Sequence, residues 1–113
     1  MFKKYCEKLD IIISNPPYIR EDDFPGLPRE VREYEPRMAL VAGKTGLEVY
    51  EKILAAAPVY LTTENLAYIV FETGPIVSGS LLELVEGTKD YRQALLEKDY
   101  NKKDRIIIAN RSL

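Results

Sequence analysis

The stretch Asp10-Ile11-Ile12-Ile13-Ser14-Asn15-Pro16-Pro17-Tyr18 decides how this chain folds and where its chemistry lies. Three consecutive β-branched residues are typical of a parallel strand that is covered on both faces, and open α/β sheets bind ligands at the carboxyl ends of such strands. Asn15 stands at that end. Because proline has no N–H and restricts the residue before it to extended geometry, Pro16 and Pro17 make a rigid corner that offers hydrogen-bond acceptors and few donors.

This corner suits a planar primary amide or an exocyclic amine, each of which presents two N–H donors on one nitrogen. The side-chain oxygen of Asn15 and a carbonyl of Pro16 or Pro17 can accept both, which leaves the nitrogen lone pair free to attack an electrophile. The Tyr18 ring can stack on the substrate plane and exclude water. We therefore predict that Asn15, Pro16, Pro17 and Tyr18 bind the substrate and carry catalysis in an enzyme that alkylates a weak nitrogen nucleophile. The alternative is a proline turn after a core strand, with Tyr18 as ordinary packing.

Asn-Pro-Pro-Tyr after an isoleucine-rich strand resembles the amide- and amine-methylating branch of class I S-adenosylmethionine-dependent methyltransferases. Further matches resemble, in order and spacing, the HemK-type release factor glutamine methyltransferases: Tyr34-Glu35-Pro36-Arg37-Met38-Ala39-Leu40, Gly43, Gly46-Leu47 leading into Tyr50 and Ile53, Phe71-Glu72, Lys98-Asp99 and Asp104-Arg105-Ile106-Ile107-Ile108. The resemblance implies methyl transfer from S-adenosylmethionine to the amide nitrogen of the glutamine in the Gly-Gly-Gln motif of peptide-chain release factors. It also implies that Asn15, Pro16, Pro17 and Tyr18 grip this amide and that Asn15 lies beside the methyl donor.

The resemblance covers nearly the whole chain but only the C-terminal half of that family's protein. We therefore expect residues 1–113 to be the C-terminal part of a catalytic domain whose donor-binding half is absent. The six glycines include no Gly-x-Gly pair, so a glycine-rich donor loop cannot be built, and Gly43-Lys44-Thr45 is no phosphate loop because its first glycine would fall at Met38. Lys44-Thr45 and Thr73 also depart from the family, where an acidic pair and an aliphatic residue are usual. Without the upstream half, the first strand becomes an exposed apolar edge, and we expect self-association or marginal stability.

Length and composition indicate one small globular domain. The chain has 113 residues, of which 46% are hydrophobic and 30% charged, and no apolar run reaches the roughly 20 residues of a membrane helix. Since no secretory signal opens the chain, we expect a cytoplasmic location and no membrane partner. A net charge of −2 leaves no footprint for direct nucleic-acid binding. The single Cys6 and the absence of histidine give no metal site.

The remaining pattern predicts an α/β fold, the C-terminal half of a Rossmann-like sheet, with about four strands and two main helices. Residues 93–98 have a helical local pattern, but the resemblance implies a strand, which we follow. It also places the final strand antiparallel between its neighbours, in the spatial order first, second, fourth, third. The other predicted elements are a helix over 46–57, opened by the capping box Thr45-Gly46-Leu47-Glu48, a strand over 66–71 ended by Gly74-Pro75, a helix from Ser78 or Ser80 to Gly87, and a strand over 105–109.

Residues 19–44 lack periodicity and are interpreted as one long surface loop that forms a lid over the corner. Within it, Arg29, Arg32 and Arg37 either contact a protein substrate or pair with neighbouring glutamates on a solvated face.

Three functions remain open at this point. The leading one is the release factor glutamine methyltransferase. The second is an enzyme of the same superfamily that acts on a ribosomal-protein glutamine or an exocyclic nucleobase amine. The third is a catalytically silent interaction fragment.

Overall fold

The computed structural model of the protein describes residues 7–34, 36, 40–41 and 43–111, and it has a mixed α/β fold. Two short 3₁₀ helices, Glu21–Gly26 and Ala57–Val59, accompany the main elements. In chain order these are β1 (Ile11–Ser14), α1 (Arg29–Tyr34), α2 (Glu48–Ala56), β2 (Tyr68–Glu72), α3 (Ser78–Glu86), β3 (Tyr91–Lys98) and β4 (Asp104–Arg111). The predicted fold class is confirmed.

The four strands form one sheet in the order β1-β2-β4-β3. β1 runs parallel to β2, with Ile12 opposite Ile69, whereas β4 lies antiparallel to both β2 and β3. This is the order that the resemblance implied. The strand Tyr91–Lys98 also confirms the resemblance against its helical local pattern, because pairing with β4 decides the conformation of a short ambiguous segment.

The core lies on one face of the sheet, against α2 and α3. Alternate residues of β2 and β4 point to this face, and Ile69, Phe71 and Ile107 are at most 1% exposed. The helices supply opposing side chains that are also buried, namely Tyr50, Leu54, Leu81 and Val85. Each large side chain buried in this way contributes about 1.5–3 kcal/mol, so the packed layer fixes where the strand ends lie.

The opposite face carries an apolar row that crosses all four strands. The strand register aligns Ile13, Val70, Ile108 and Leu95, and the two outer side chains, Ile13 and Leu95, are 73% and 60% exposed. The isoleucine run alone predicts a strand covered on both faces, which is wrong for the described sheet. β1 is instead the exposed apolar edge that we expected from the family resemblance.

The segment 19–44 is not one irregular loop, so the prediction of a single loop is wrong. It contains the 3₁₀ helix Glu21–Gly26 and α1, each of six residues, which is too short for a helical period to be visible in the sequence. Arg29 pairs with Glu33 at 2.8 Å, as expected for helix neighbours four residues apart. The side chain of Arg32 and all of Arg37 lie outside the described part of the chain, as does Cys6.

The two longer helices begin differently from what their capping signals predict. α2 begins at Glu48 rather than Gly46, and α3 follows Val77 with no side-chain cap. The Ser78 hydroxyl donates instead to Oδ2 of Asp104 at 2.6 Å, which ties α3 to β4. The predicted end of α3 at Gly87 is confirmed. None of the described helices is long and apolar enough to cross a membrane.

Candidate functional site

The predicted corner follows β1 directly and lines one cavity. Asn15 is exposed, Pro16 is buried, and Pro17 and Tyr18 are half-buried. All four residues line a cavity of about 190 Å³, together with Ile19, Leu40 and Glu72. The structure therefore brings the four residues that the sequence singled out to one place, at the carboxyl end of the parallel pair β1 and β2.

Two glycines make room for Tyr18. At Gly46, whose φ is +82°, an added Cβ would lie 2.4 Å from the carbonyl oxygen of Tyr18. At Gly74, an added Cβ would lie 2.9 Å from Cε2 and Oη of the Tyr18 ring. Only a residue without a side chain permits so close an approach, and Gly46 also needs the left-handed backbone. The sequence predicts Gly46 only as part of a helix start and Gly74 only as a strand end, because contacts between distant residues leave no local pattern.

The end of β2 is anchored from the core side. The Tyr50 hydroxyl donates to the backbone carbonyl of Glu72 at 2.7 Å, and the Tyr50 ring meets Phe71 edge-on, with centroids 5.0 Å apart. Burial raises the pKa of Tyr50 to about 12, so its hydroxyl stays a donor at neutral pH. This contact fixes the end of β2, which lies next to Asn15 at the end of the neighbouring strand.

The loop before α2 is fastened next to the corner. Glu48 accepts hydrogen bonds from the Thr45 hydroxyl at 2.7 Å and from the Lys44 N–H at 2.8 Å. The Thr45 bond, with backbone N–H donors, lowers the pKa of Glu48 to about 2. The Glu21 N–H donates in turn to the Gly43 carbonyl at 2.8 Å. The capping-box residues thus mainly hold this loop, and the loop holds the segment that follows Tyr18.

A second cavity, of about 360 Å³, lies on the sheet face that carries the apolar row. Asn15 and Glu72 line it as well, so the two cavities share these two residues. Arg105 also lines it and pairs with Glu72, with its Nη1 3.3 Å from Oε1. Glu72 belongs to the Phe71-Glu72 match with the family, and the sequence alone assigned it no role. The feature that could have indicated Glu72 is its position at the end of a strand that runs parallel to β1.

Among the described residues, no group of three or more acidic, histidine or cysteine side chains is arranged to hold a metal ion.

The sequence of the chain is similar to those of several known proteins. No family model matches. The chain is 37% identical over 105 residues to the release factor glutamine methyltransferase of Clostridium acetobutylicum, which is 93% of this chain and 36% of that protein. It is 36% identical over 108 residues to the Bacillus cereus protein of the same name, and 38% identical over 110 residues to that of Bacillus subtilis. Each of these two matches covers 96% of this chain. They cover 38% of the Bacillus cereus protein and 37% of the Bacillus subtilis protein. The chain therefore spans less than two-fifths of the curated relatives that it matches, in their C-terminal part. The resemblance indicated by the Asn-Pro-Pro-Tyr corner is confirmed, since the chain is similar over more than nine-tenths of its length to release factor glutamine methyltransferases.

Proposed function

We propose that the chain forms the glutamine-binding part of an S-adenosylmethionine-dependent methyltransferase that acts on the Gly-Gly-Gln motif of peptide-chain release factors. The observation that carries the proposal is the single cavity that Asn15, Pro16, Pro17 and Tyr18 line together. At about 190 Å³ it has several times the ~30 Å³ share of one water molecule, which is room for a side-chain amide. The names of the relatives support the choice of substrate.

Each corner residue has a defined task in this proposal. The side-chain oxygen of Asn15 and a carbonyl of the Pro16-Pro17 backbone accept the two N–H groups of the amide, which fixes the nitrogen. Tyr18 covers the amide plane and excludes water. The prolines restrict this backbone, and Gly46 and Gly74 lie close against Tyr18. The acceptors are therefore held in place before the substrate arrives.

S-adenosylmethionine supplies the electrophilic methyl group for this reaction. Asn15 suits the donor side, because it lines both cavities, a position that it shares with Glu72. The second cavity is also lined by Ile13, Val70 and Ile106. The sequence has no Gly-x-Gly pair from which a glycine-rich donor loop could be built. The chain therefore contributes one wall of a donor pocket.

A graft tests the proposal. The segment of the Clostridium acetobutylicum relative that matches this chain is replaced by the chain, and methyl transfer from labelled S-adenosylmethionine to a Gly-Gly-Gln peptide is measured. We expect methylated glutamine. We also expect Asn15→Ala to lower the rate by about a hundredfold or more, because it removes an acceptor that orients the nitrogen. The circular dichroism spectrum should not change.

Asn65→Ala is the matched control, since Asn65 is an exposed turn residue that lines neither cavity, and the rate should be unaffected. Full turnover by Asn15→Ala would show that the corner is structural. Methylation of an oligonucleotide in place of the peptide would assign the corner to a nucleobase amine.

A further inference from the structure

Glu72 lies beside Asn15 at the carboxyl end of the parallel pair β1 and β2. Ser14 pairs with Phe71 in the parallel register of β1 and β2, and Asn15 and Glu72 are the next residue on each strand. Neighbouring strands lie about 4.8 Å apart, so the two residues share the same stretch of surface. Both line the 190 Å³ cavity and the 360 Å³ cavity. Among the described residues that line the smaller cavity, Glu72 alone carries a carboxyl group.

The backbone and the carboxylate of Glu72 each have a partner that holds them in place. The backbone carbonyl of Glu72 accepts the Tyr50 hydroxyl at 2.7 Å, and Oε1 accepts Nη1 of Arg105 at 3.3 Å. Arg105 is itself held by Asp99, with 3.6 Å between Nη2 and Oδ2. The Glu72 side chain nevertheless stays 42% exposed. Because the carboxylate is both oriented and solvent-accessible, it can contact a ligand in the cavity while the bonds to Tyr50 and Arg105 stay intact.

Methylation of an amide nitrogen creates a need for such a group. As the nitrogen lone pair forms the new N–C bond, the C–S bond of the sulfonium donor breaks and its electron pair goes to sulfur. The positive charge of the donor thereby passes to the nitrogen, which must then lose one proton to become a neutral N-methyl amide. A fixed negative charge next to the nitrogen stabilises that developing charge.

We propose that the Glu72 carboxylate lies next to the acceptor nitrogen beside Asn15 and stabilises the positive charge that methylation places there, while the proton leaves to water from one of the two N–H groups. This inference rests on the proposed function, which supplies the methyl donor and the amide. The simpler role, a surface ion pair with Arg105, does not require Glu72 to line the cavity of the corner.

A binding experiment separates the two roles without methyl transfer. The 113-residue chain is titrated with a Gly-Gly-Gln peptide and with the same peptide in which the glutamine amide is an amidinium, a planar cation of nearly equal shape. Binding is followed by calorimetry and by the NMR signals of the Asn15 side chain. If Glu72 faces the nitrogen, the cationic peptide should bind about threefold to tenfold more tightly, a modest gain because solvent weakens charge pairing at a part-exposed group.

Glu72→Gln keeps the shape of the side chain and removes its charge, so it should abolish this preference while glutamine-peptide affinity changes less than about twofold. Glu51→Gln removes the same charge from an exposed position on α2 that lines neither cavity, and it should keep the preference. A preference that survives Glu72→Gln, or equal binding of both peptides at Asn15, overturns the role of Glu72 and leaves the proposed function standing. Failure of both peptides to bind overturns the proposed function and this inference with it.

Discussion

Replacing Gly46 with alanine adds one carbon atom at the tightest contact of the corner. A φ of +82° costs a residue with a side chain about 1–2 kcal/mol. The new Cβ would also lie 2.4 Å from the Tyr18 carbonyl oxygen and 3.1 Å from Cγ1 of Val77. The carbonyl is backbone and follows two prolines, so it cannot turn aside freely, and such overpacking costs about 1–3 kcal/mol. We therefore expect the free energy of unfolding to fall by about 2–5 kcal/mol.

Urea unfolding followed by circular dichroism measures this loss. With a slope of about 1.5 kcal/mol per molar urea, the midpoint should fall by roughly 1–3 M. Gly79→Ala is the matched control, because a Cβ there meets nothing within 4 Å and the position lies in α3. That variant should gain about 0.5–1 kcal/mol from helix propensity. A Gly46→Ala midpoint equal to that of the wild type would refute the close approach of Gly46 to the Tyr18 carbonyl.

Three further predictions concern the anchor, the loop and the apolar face. Tyr50→Phe should cost about 1–2 kcal/mol in thermal melts, because the Glu72 carbonyl loses its 2.7 Å bond, whereas the same change at the fully exposed Tyr100 should cost nothing. The pKa of Glu48 is lowered from 4.5 to about 2, so its contribution to stability is full above pH 4.5 and is lost as the pH falls toward 2. The melting temperature of Glu48→Gln should therefore lie below that of the wild type at about pH 6 and converge with it near pH 2. The exposed row containing Ile13 should drive self-association in sedimentation velocity, and Ile13→Lys should shift the protein toward monomer; a wild-type monomer at all concentrations would contradict this.

Elements with strong local patterns could be predicted from the sequence, and the two six-residue helices within 19–44 could not. The isoleucine run predicts β1, and helical spacing predicts most of α2. The start of α2 was misplaced because Gly46 has a φ of +82°, which is not helical, although the Thr45 N–H still bonds the Glu48 side chain as in a capping box. The six-residue helices within 19–44 bury too little apolar surface to impose a period on the sequence.

For the candidate site, the sequence could predict the rigid geometry of the four corner residues but not which residues surround them. Proline fixes its own φ and the geometry of the residue before it, so the rigidity of Asn-Pro-Pro-Tyr is a local property that can be read without a fold. The place of Glu72 beside Asn15 is not local, since it requires β2 to lie parallel to β1 in one particular register.

The sequence by itself determined the strand, the acceptor-rich corner at its end and the similarity to glutamine methyltransferases, because each depends on residues that are neighbours in the chain. The strand Tyr91–Lys98 followed from the family resemblance and not from its local pattern. Only the tertiary structure decided that Gly46 and Gly74 press against Tyr18 and that Glu72 lies beside Asn15. Those features arise from which strands and helices pack side by side. Packing is set by the summed burial of many side chains, so no single stretch of sequence carries it.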